Sequence, residues 1–389
     1  MPLPFPTNPL LKNLPVYQPG RLIEEVAREL ELPAETIIKL ASNENPLGTS
    51  RSAIAAMRKA LSQVNLYPDG SAFYLKQKLA AKLGVTTSNL VLGNGSNEII
   101  EFVGHAMLGG PASRLEDSNS SQAEVVVSQY CFAVYPIVTA LFGAKLVEVP
   151  AKDYGHDLDA MLAAITPRTR VVFVANPNNP TGTIASREDL LHFISAVPET
   201  LLVALDEAYI EFVANPADLL SEIRGNSRPN LLLMRTFSKI HGLAGLRLGY
   251  GIGHAELIAE LEKIRQPFNL NAIIQAGALA ALEDDKHAER TRRNNARGLL
   301  LYGRAFRKLG LEFLPSAANF ILVRVGDGQA VFDAMQRLGV IVRPMGGYHL
   351  PEWVRITVGT SKQNKRCLEA LKTVLGDSGK LQAPTSKLQ

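Results

Sequence analysis

The chain has 389 residues, 46% of them hydrophobic and 20% charged, which is apolar length enough to bury a sizeable core. A net charge of +4, with no basic run interleaved with aromatics, argues against a nucleic-acid partner. Two cysteines, Cys131 and Cys367, exclude a disulfide framework and a cysteine-based zinc site, and no apolar run reaches the roughly 18 residues of a membrane span.

The opening "MPLPFPTNPL" has no charged segment ahead of a long apolar run, so no signal peptide is expected, and the protein reads as cytoplasmic. Its first 19 residues are Pro-rich and are expected to form an extended arm. Helical spacing follows in "RLIEEVAREL", then a loop, "ASNENPLG", then helices at "SRSAIAAMRKAL" and "SAFYLKQKLAAKL" separated by the turn "LYPDG". From residue 90 short apolar runs alternate with helical stretches: "LVLG", "AEVVVS", "KLVEVP", "RVVFVAN", "LLVALDEAYI" and "NLLLMRTFS" read as strands. Runs of Val and Leu without polar alternation are the mark of strands buried on both faces, and helices between them imply crossovers in a mostly parallel α/β sheet. Beyond residue 270, two long helical patterns lead to "NFILVRV", "VFDAMQRL", "GVIVRP" and "VRITVG", a smaller α/β unit. The polar stretch 111 to 124 reads as a surface insert, and residues 376–389 as a disordered tail.

Open α/β sheets bind ligands at the carboxyl ends of their strands, and five stations there carry chemistry. "GNGSNEII" follows a strand and opens a helix, so Gly93 and Gly95 allow close backbone approach while Ser96 and Asn97 offer free amides to an anion, although a plain helix cap would look the same. "ANPNNPTG" brackets Asn178 and Asn179 between prolines, either as a rigid turn or as amides aimed at a ligand oxygen. Asp206 ends an apolar strand, where a carboxylate needs a cationic partner, an arginine or a ring nitrogen, with Tyr209 on the same side. Lys239 follows another buried strand, flanked by Thr236 and Ser238, with Arg247 eight positions on. A lysine with restricted hydration becomes nucleophilic, and hydroxyls plus an arginine form a phosphate receptor. Arg343 and Arg355, beside strands of the small unit, suit a substrate carboxylate or phosphate, or else surface salt bridges. Together the stations meet the needs of pyridoxal 5′-phosphate: a phosphate cradle, an acid for the ring nitrogen, donors for the ring oxygen and a Schiff-base lysine.

In that order, "NPNNPTG", "DEAY" and "RTFSKIHGLAGLRLGY" resemble fold-type I pyridoxal-phosphate aminotransferases, over about residues 17 to 360. "YQPGR", "SNENPLG", "YPDG", "GNGSNE", "NFILVR" and "VRITVGT" resemble the histidinol-phosphate aminotransferase family more closely. The resemblance implies transamination between L-histidinol phosphate and 2-oxoglutarate, giving imidazole-acetol phosphate and glutamate, in L-histidine biosynthesis. It implies that Lys239 carries the cofactor and shuttles the Cα proton, and that Asp206 pairs with the ring nitrogen. Asn179 and Tyr209 should bond the ring oxygen, and Phe132 should stack on the ring. Gly95, Ser96, Asn97, Thr236, Ser238 and Arg247 should hold the phosphate. Tyr67 should reach the cofactor of a second subunit, making a homodimer. Arg355 should grip the substrate anion, helped by Tyr17, Asn319 and Arg343. Two positions depart from relatives, Phe132 for a common Tyr and Asn97 for a common Asp. The resemblance also leaves open an aromatic amino-acid aminotransferase or a threonine-phosphate decarboxylase on the same scaffold. A regulatory ligand sensor would need an N-terminal DNA-binding domain, for which the arm leaves no room, and a Rossmann protein would need a GxGxxG after its first strand.

The implied division places the arm and part of the small domain at 1–48. The large cofactor domain is expected at 49–270 and the small domain at 271–375.

Overall fold

The computed structural model describes residue 5, residues 7–14, 16, 18–109 and 122–381. In chain order its strands are β1 (Ile38–Lys39), β2 (Leu90–Gly93), β3 (Glu124–Ser128), β4 (Lys145–Val149), β5 (Thr169–Ala175), β6 (Leu202–Asp206) and β7 (Leu231–Thr236). They continue with β8 (Gly249–Gly253), β9 (Phe313–Leu314), β10 (Phe320–Arg324), β11 (Val340–Ile341), β12 (Arg343–Pro344) and β13 (Trp353–Thr357).

The apolar runs between residues 90 and 253 build one seven-stranded sheet, ordered β2-β8-β7-β6-β5-β3-β4. Strands β3 to β7 run parallel. Along β5 the side chains alternate between two cores, Val172 and Val174 in one, Val171 and Phe173 in the other. Both faces are dry, so polar alternation never arises and the sequence shows an unbroken apolar run.

β8 escapes sequence reading because Gly249, Gly251 and Gly253 replace the usual β-branched residues. It lies antiparallel between β2 and β7. A Cβ on Gly249 would sit 2.2 Å from the Ser96 backbone nitrogen, so glycine is what lets this strand pass under the loop after β2.

The second sheet is antiparallel, ordered β12-β13-β10-β9, and β1 pairs with β11 beside it. Its core joins Ile321, Val323, Val354 and Ile356 to Tyr302 and Phe306 of the helix Asp285–Lys308.

Four expectations are corrected. The tail from residue 376 is not all disordered, since the helix Ser361–Leu381 runs through its start; residues 382–389 lie outside the described residues. Cys367, Leu371 and Val374 bury one side of that helix, and lengthening an existing helix needs no new nucleus. The insert at 111 to 124 ends earlier than expected: residues 110–121 lie outside the described residues, but Ala123 is buried and Glu124 opens β3. The Glu124 carboxylate looks like loop polarity in sequence, yet it accepts from Arg168 at 2.6 Å, Thr166 at 2.6 Å and Lys145 at 3.2 Å. The arm is not extended throughout, because Pro9–Asn13 forms a 3-10 turn capped by Asn8. The helix Ala272–Leu282, past the expected boundary at 270, shares its core with the large sheet through Ile274, Ala278 and Leu282.

Candidate active site

β5, β6 and β7 are adjacent and parallel, so the segments leaving their carboxyl ends open side by side. They deliver Asn179, Asp206 and Lys239 into one cleft of about 360 Å³.

Asp206 ends β6 with its side chain 6% exposed. Tyr135 Oη donates to its Oδ2 at 2.8 Å and the Ala208 amide to its Oδ1 at 3.0 Å. Burial pushes the carboxyl pKa up, opposed by those hydrogen bonds and by the charge of Lys239. The next residue, Glu207, faces away from the cleft and pairs with Arg235 of β7 at 2.7 Å, so one acid of "DEAY" serves the site and the other the scaffold. Lys239 is half-buried, its Nζ 5.6 Å from the centre of the Tyr209 ring.

The station expected to take a phosphate consists of the turn after β2 and the helix Ser96–Leu108. Gly95 sits at φ 82°, and a Cβ there would lie 2.5 Å from Arg247 Nη2. Arg247 itself holds φ 59° and is braced by a 3.0 Å hydrogen bond to the Ala244 carbonyl. Ser96, Asn97 and Ser238 also line the cleft. Thr236 lines it too, but its hydroxyl is engaged within the loop, donating to the Leu248 carbonyl and accepting from the Ser238 amide, both at 3.1 Å. Phe132 borders the cleft and meets Tyr135 edge-on, with ring centres 5.7 Å apart.

On the other wall stands β13. Arg355 is 7% exposed; it donates through Nη1 to Asn179 Oδ1 and through Nη2 to the Ala41 carbonyl at 3.1 Å. Arg343 lines the mouth and donates to the Gln18 carbonyl at 2.8 Å. Asn319 does not border the cleft: its Nδ2 is spent on the Asn43 carbonyl at 2.9 Å, one layer behind. Tyr67 is 84% exposed, stacked on Phe268 and away from its own chain's cleft. Tyr17 lies outside the described residues.

Sequence reasoning missed Tyr135, which holds Asp206, and Asn43, which holds Tyr209. Tyr135 sits in the apolar "FAVYPIV", where its hydroxyl gives no local signal. Asn43 has φ 55°, a left-handed backbone that asparagine tolerates, and it lies in the quoted "SNENP".

The cleft fits pyridoxal 5′-phosphate on two counts. The absence of a Cβ at Gly95 lets the Arg247 guanidinium lie against the start of the helix Ser96–Leu108, which sets a cation beside the open amides of that helix end, and Asp206 is a buried acid that a cationic ring nitrogen would compensate. Gly95→Ala is therefore expected to weaken binding of that cofactor at least about tenfold, since the added Cβ would displace the Arg247 guanidinium and a hydrogen bond to a charged group is worth about 1.5–3 kcal/mol. Equilibrium titration with the cofactor, with thermal unfolding as the fold control, measures it.

The profile of the family described as aminotransferase class I and II matches residues 35–371. The chain belongs to the class I and II aminotransferase family. Within it, the chain is 50% identical over 369 residues to a histidinol-phosphate aminotransferase of Akkermansia muciniphila, an alignment spanning 95% of this chain and 98% of that one. Among solved structures it resembles a histidinol-phosphate aminotransferase of Sinorhizobium meliloti in complex with pyridoxal-5′-phosphate. There the TM-score is 0.84 at 31% identity, covering 96% of this chain and 98% of that chain. An L-threonine-O-3-phosphate decarboxylase of Porphyromonas gingivalis, at TM-score 0.74 and 21% identity over 87% of this chain and 100% of that chain, shares the fold alone. The aminotransferase fold, a mostly parallel sheet flanked by helices with a smaller sheet beside it, is the one expected from the sequence.

Proposed function

We propose that the chain is a pyridoxal-phosphate-dependent transaminase that moves the amino group of L-histidinol phosphate to 2-oxoglutarate, yielding imidazole-acetol phosphate and glutamate in L-histidine biosynthesis. The observation that carries this reading is the convergence of Lys239, Asp206, Asn179 and Arg355 on one cleft, in a chain half identical to a histidinol-phosphate aminotransferase along nearly its whole length.

Bound in this cleft, the cofactor supplies an electron sink for the pair left when a substrate Cα–H bond breaks. The residues do the rest. Asp206 stays ionised against the ring nitrogen, with Tyr135 and Ala208 fixing its two oxygens. Asn179 and Tyr209, which line the cleft, would hold the ring oxygen. Ser96, Asn97, Ser238 and Arg247, which line the cleft, would enclose the phosphate, with Gly95 leaving room for the Arg247 guanidinium and Thr236 bracing their loop. Phe132 covers one ring face. Lys239 Nζ would anchor the cofactor and, once displaced, would take the proton from the substrate Cα and deliver it to the cofactor's aldehyde-derived carbon, the reverse half running the same transfer backwards. Arg355 and Arg343 hold the substrate's anionic group by turns, phosphate in one half-reaction and carboxylate in the other. Tyr17 would join them, and Asn319 acts from behind by holding Asn43.

The same reading makes the enzyme a homodimer. Leu61, Val64, Leu66, Tyr67, Phe73 and Tyr74 are all more than half exposed on one chain, an apolar surface of the kind a second copy covers. Tyr67 would then reach the partner's cleft. The domain division that suits the two cores puts residues 49 to about 282 with the large sheet and the rest with the small one. Two buried free thiols, Cys131 and Cys367, agree with a cytoplasmic setting, and no helix among the described residues is long and apolar enough to cross a membrane.

A coupled assay tests the substrate. With 2-oxoglutarate as acceptor, kcat/KM for histidinol phosphate is expected to exceed that for phenylalanine or tyrosine by at least about 100-fold, because a site built to hydrogen-bond a polar substrate group rejects an analogue that lacks it, and neither amino acid carries the imidazole or the phosphate. Strong activity with phenylpyruvate and none with imidazole-acetol phosphate would reassign the enzyme to aromatic amino acids.

A further inference from the structure

Tyr209 owes its position to a chain of hydrogen bonds that begins on the small sheet. The Asn43 backbone amide donates to Thr357 Oγ1 at 2.9 Å, and Thr357 Oγ1 in turn faces Asn43 Oδ1 at 3.1 Å. On its other side, Asn43 Nδ2 donates to Tyr209 Oη at 2.9 Å. Asn43 is 2% exposed, Thr357 4% and Tyr209 4%, so water does not scramble the arrangement. The segment is pinned further by the Thr357 amide on the Leu40 carbonyl at 2.8 Å and by Asn319 on the Asn43 carbonyl.

Proton counting gives this chain a direction. A threonine hydroxyl has one hydrogen. Thr357 Oγ1 accepts the Asn43 amide, and because it is buried with no other acceptor among the described residues, its own hydrogen goes to Asn43 Oδ1; a reversed amide would leave that hydrogen unmatched. That fixes which end of the Asn43 amide faces Thr357, and so presents NH₂ to Tyr209. Tyr209 Oη therefore accepts from Asn43, and its hydrogen is left pointing into the cleft.

We infer that Thr357, acting through Asn43, is a positioning residue that sets Tyr209 as a hydrogen-bond donor to the cofactor's ring oxygen. The inference rests on the reading of the cleft as a pyridoxal-phosphate site. Were the amide reversed, Oδ1 would face Tyr209, the tyrosine would donate to it, and the ring oxygen would lose that donor. A donor at the ring oxygen stabilises its negative charge and lowers the pH at which the lysine-bound cofactor loses its proton. Losing the donor raises that midpoint. The charged and titratable groups around Tyr209 are Asp206 at the end of β6, Lys239 after β7 and Arg355 on β13. None of them changes in the variants below. Thr357 and Arg355 sit two residues apart on β13, so the strand that grips the substrate also orients the tyrosine.

The experiment is a pH titration of the visible absorption of the protein saturated with pyridoxal 5′-phosphate. Thr357→Val removes the hydroxyl, both its hydrogen and the acceptor of the Asn43 amide, without altering charge or bulk, and is expected to raise the midpoint by about one pH unit, the size of one hydrogen bond to a charged oxygen. Thr357→Ser keeps the hydroxyl and is expected to leave the midpoint in place. In a Tyr209→Phe background, itself raised, Thr357→Val should add nothing. The inference is overturned if Thr357→Val leaves the midpoint unmoved, shifts it equally in the Tyr209→Phe background, or is matched by Thr357→Ser. If Thr357→Val does not fold, Asn43→Asp carries the same comparison, because a carboxylate accepts from Tyr209 in either orientation. Its shift must then shrink in the Tyr209→Phe background, and an equal shift there overturns the inference. A wild-type protein with no visible band after saturation with pyridoxal 5′-phosphate rejects the cofactor reading, and this inference with it; a wild-type band whose pH dependence ignores Thr357 rejects the inference alone.

Discussion

Lys239→Ala is expected to lower turnover by about 10⁴-fold or more, the largest single effect in the molecule. Covalent anchoring and proton transfer at Cα both reside on Nζ, and proton transfer by a placed side chain contributes about 10²–10⁴-fold by itself. No neighbour can substitute. Asp206 is already spent on Tyr135 and the Ala208 amide, and burial raises the Tyr209 pKa, which keeps its phenol protonated and unable to take up the proton. The loop itself should survive, because what closes it is backbone: the Gly242 amide on the Lys239 carbonyl and the Leu243 amide on the Phe237 carbonyl, both at 3.1 Å. Steady-state assays with histidinol phosphate and 2-oxoglutarate, repeated with added methylamine, separate the roles. A small amine should restore part of the rate, and unaided multiple turnover near the wild-type value would remove Lys239 from the mechanism.

Asp206→Asn should come next, with an activity loss of about 10²–10³-fold. Breaking a buried ion pair costs about 3–5 kcal/mol, and each 1.4 kcal/mol is tenfold. The variant also offers a contrast that an ordinary destabilising change does not. Without cofactor, Asp206 is a buried acid whose pKa is raised by desolvation, so exchanging it for a neutral amide should not lower the melting temperature of the apoprotein. The cofactor-saturated protein should lose both affinity and its added thermal stability. Cofactor titration and melting curves with and without cofactor measure the two halves. A variant that melts early in both states would make Asp206 a scaffold residue.

The large sheet was legible because burial on both faces leaves a plain signal in the sequence, and because ligand-binding loops follow the carboxyl ends of such strands. Asn179, Asp206 and Lys239 could be found one by one for that reason. What was hidden has a common physical origin in distance along the chain. Glu124 reads as loop polarity until Lys145, Thr166 and Arg168 arrive to satisfy it. Asn43 reads as turn chemistry until Thr357 and Tyr209, far along the chain, meet it. Asn319 was expected in the cleft because its motif resembles one that touches substrate, but its amide is turned onto Asn43. β8 was hidden by its glycines, whose purpose is visible only beside Ser96.

The paired acids at the end of β6 constrain how the strand may dock. Successive side chains on a strand point to opposite faces, so sliding β6 by one residue would exchange the two. The longer Glu207 would enter the cleft without Arg235, and Asp206 would be stranded behind it, too short to reach that guanidinium. Both errors leave a dry charge unmatched. Misalignment of this strand is thus penalised twice, on either side of the sheet, before any substrate is bound. The adjacent carboxylates proofread the alignment on which the chemistry depends.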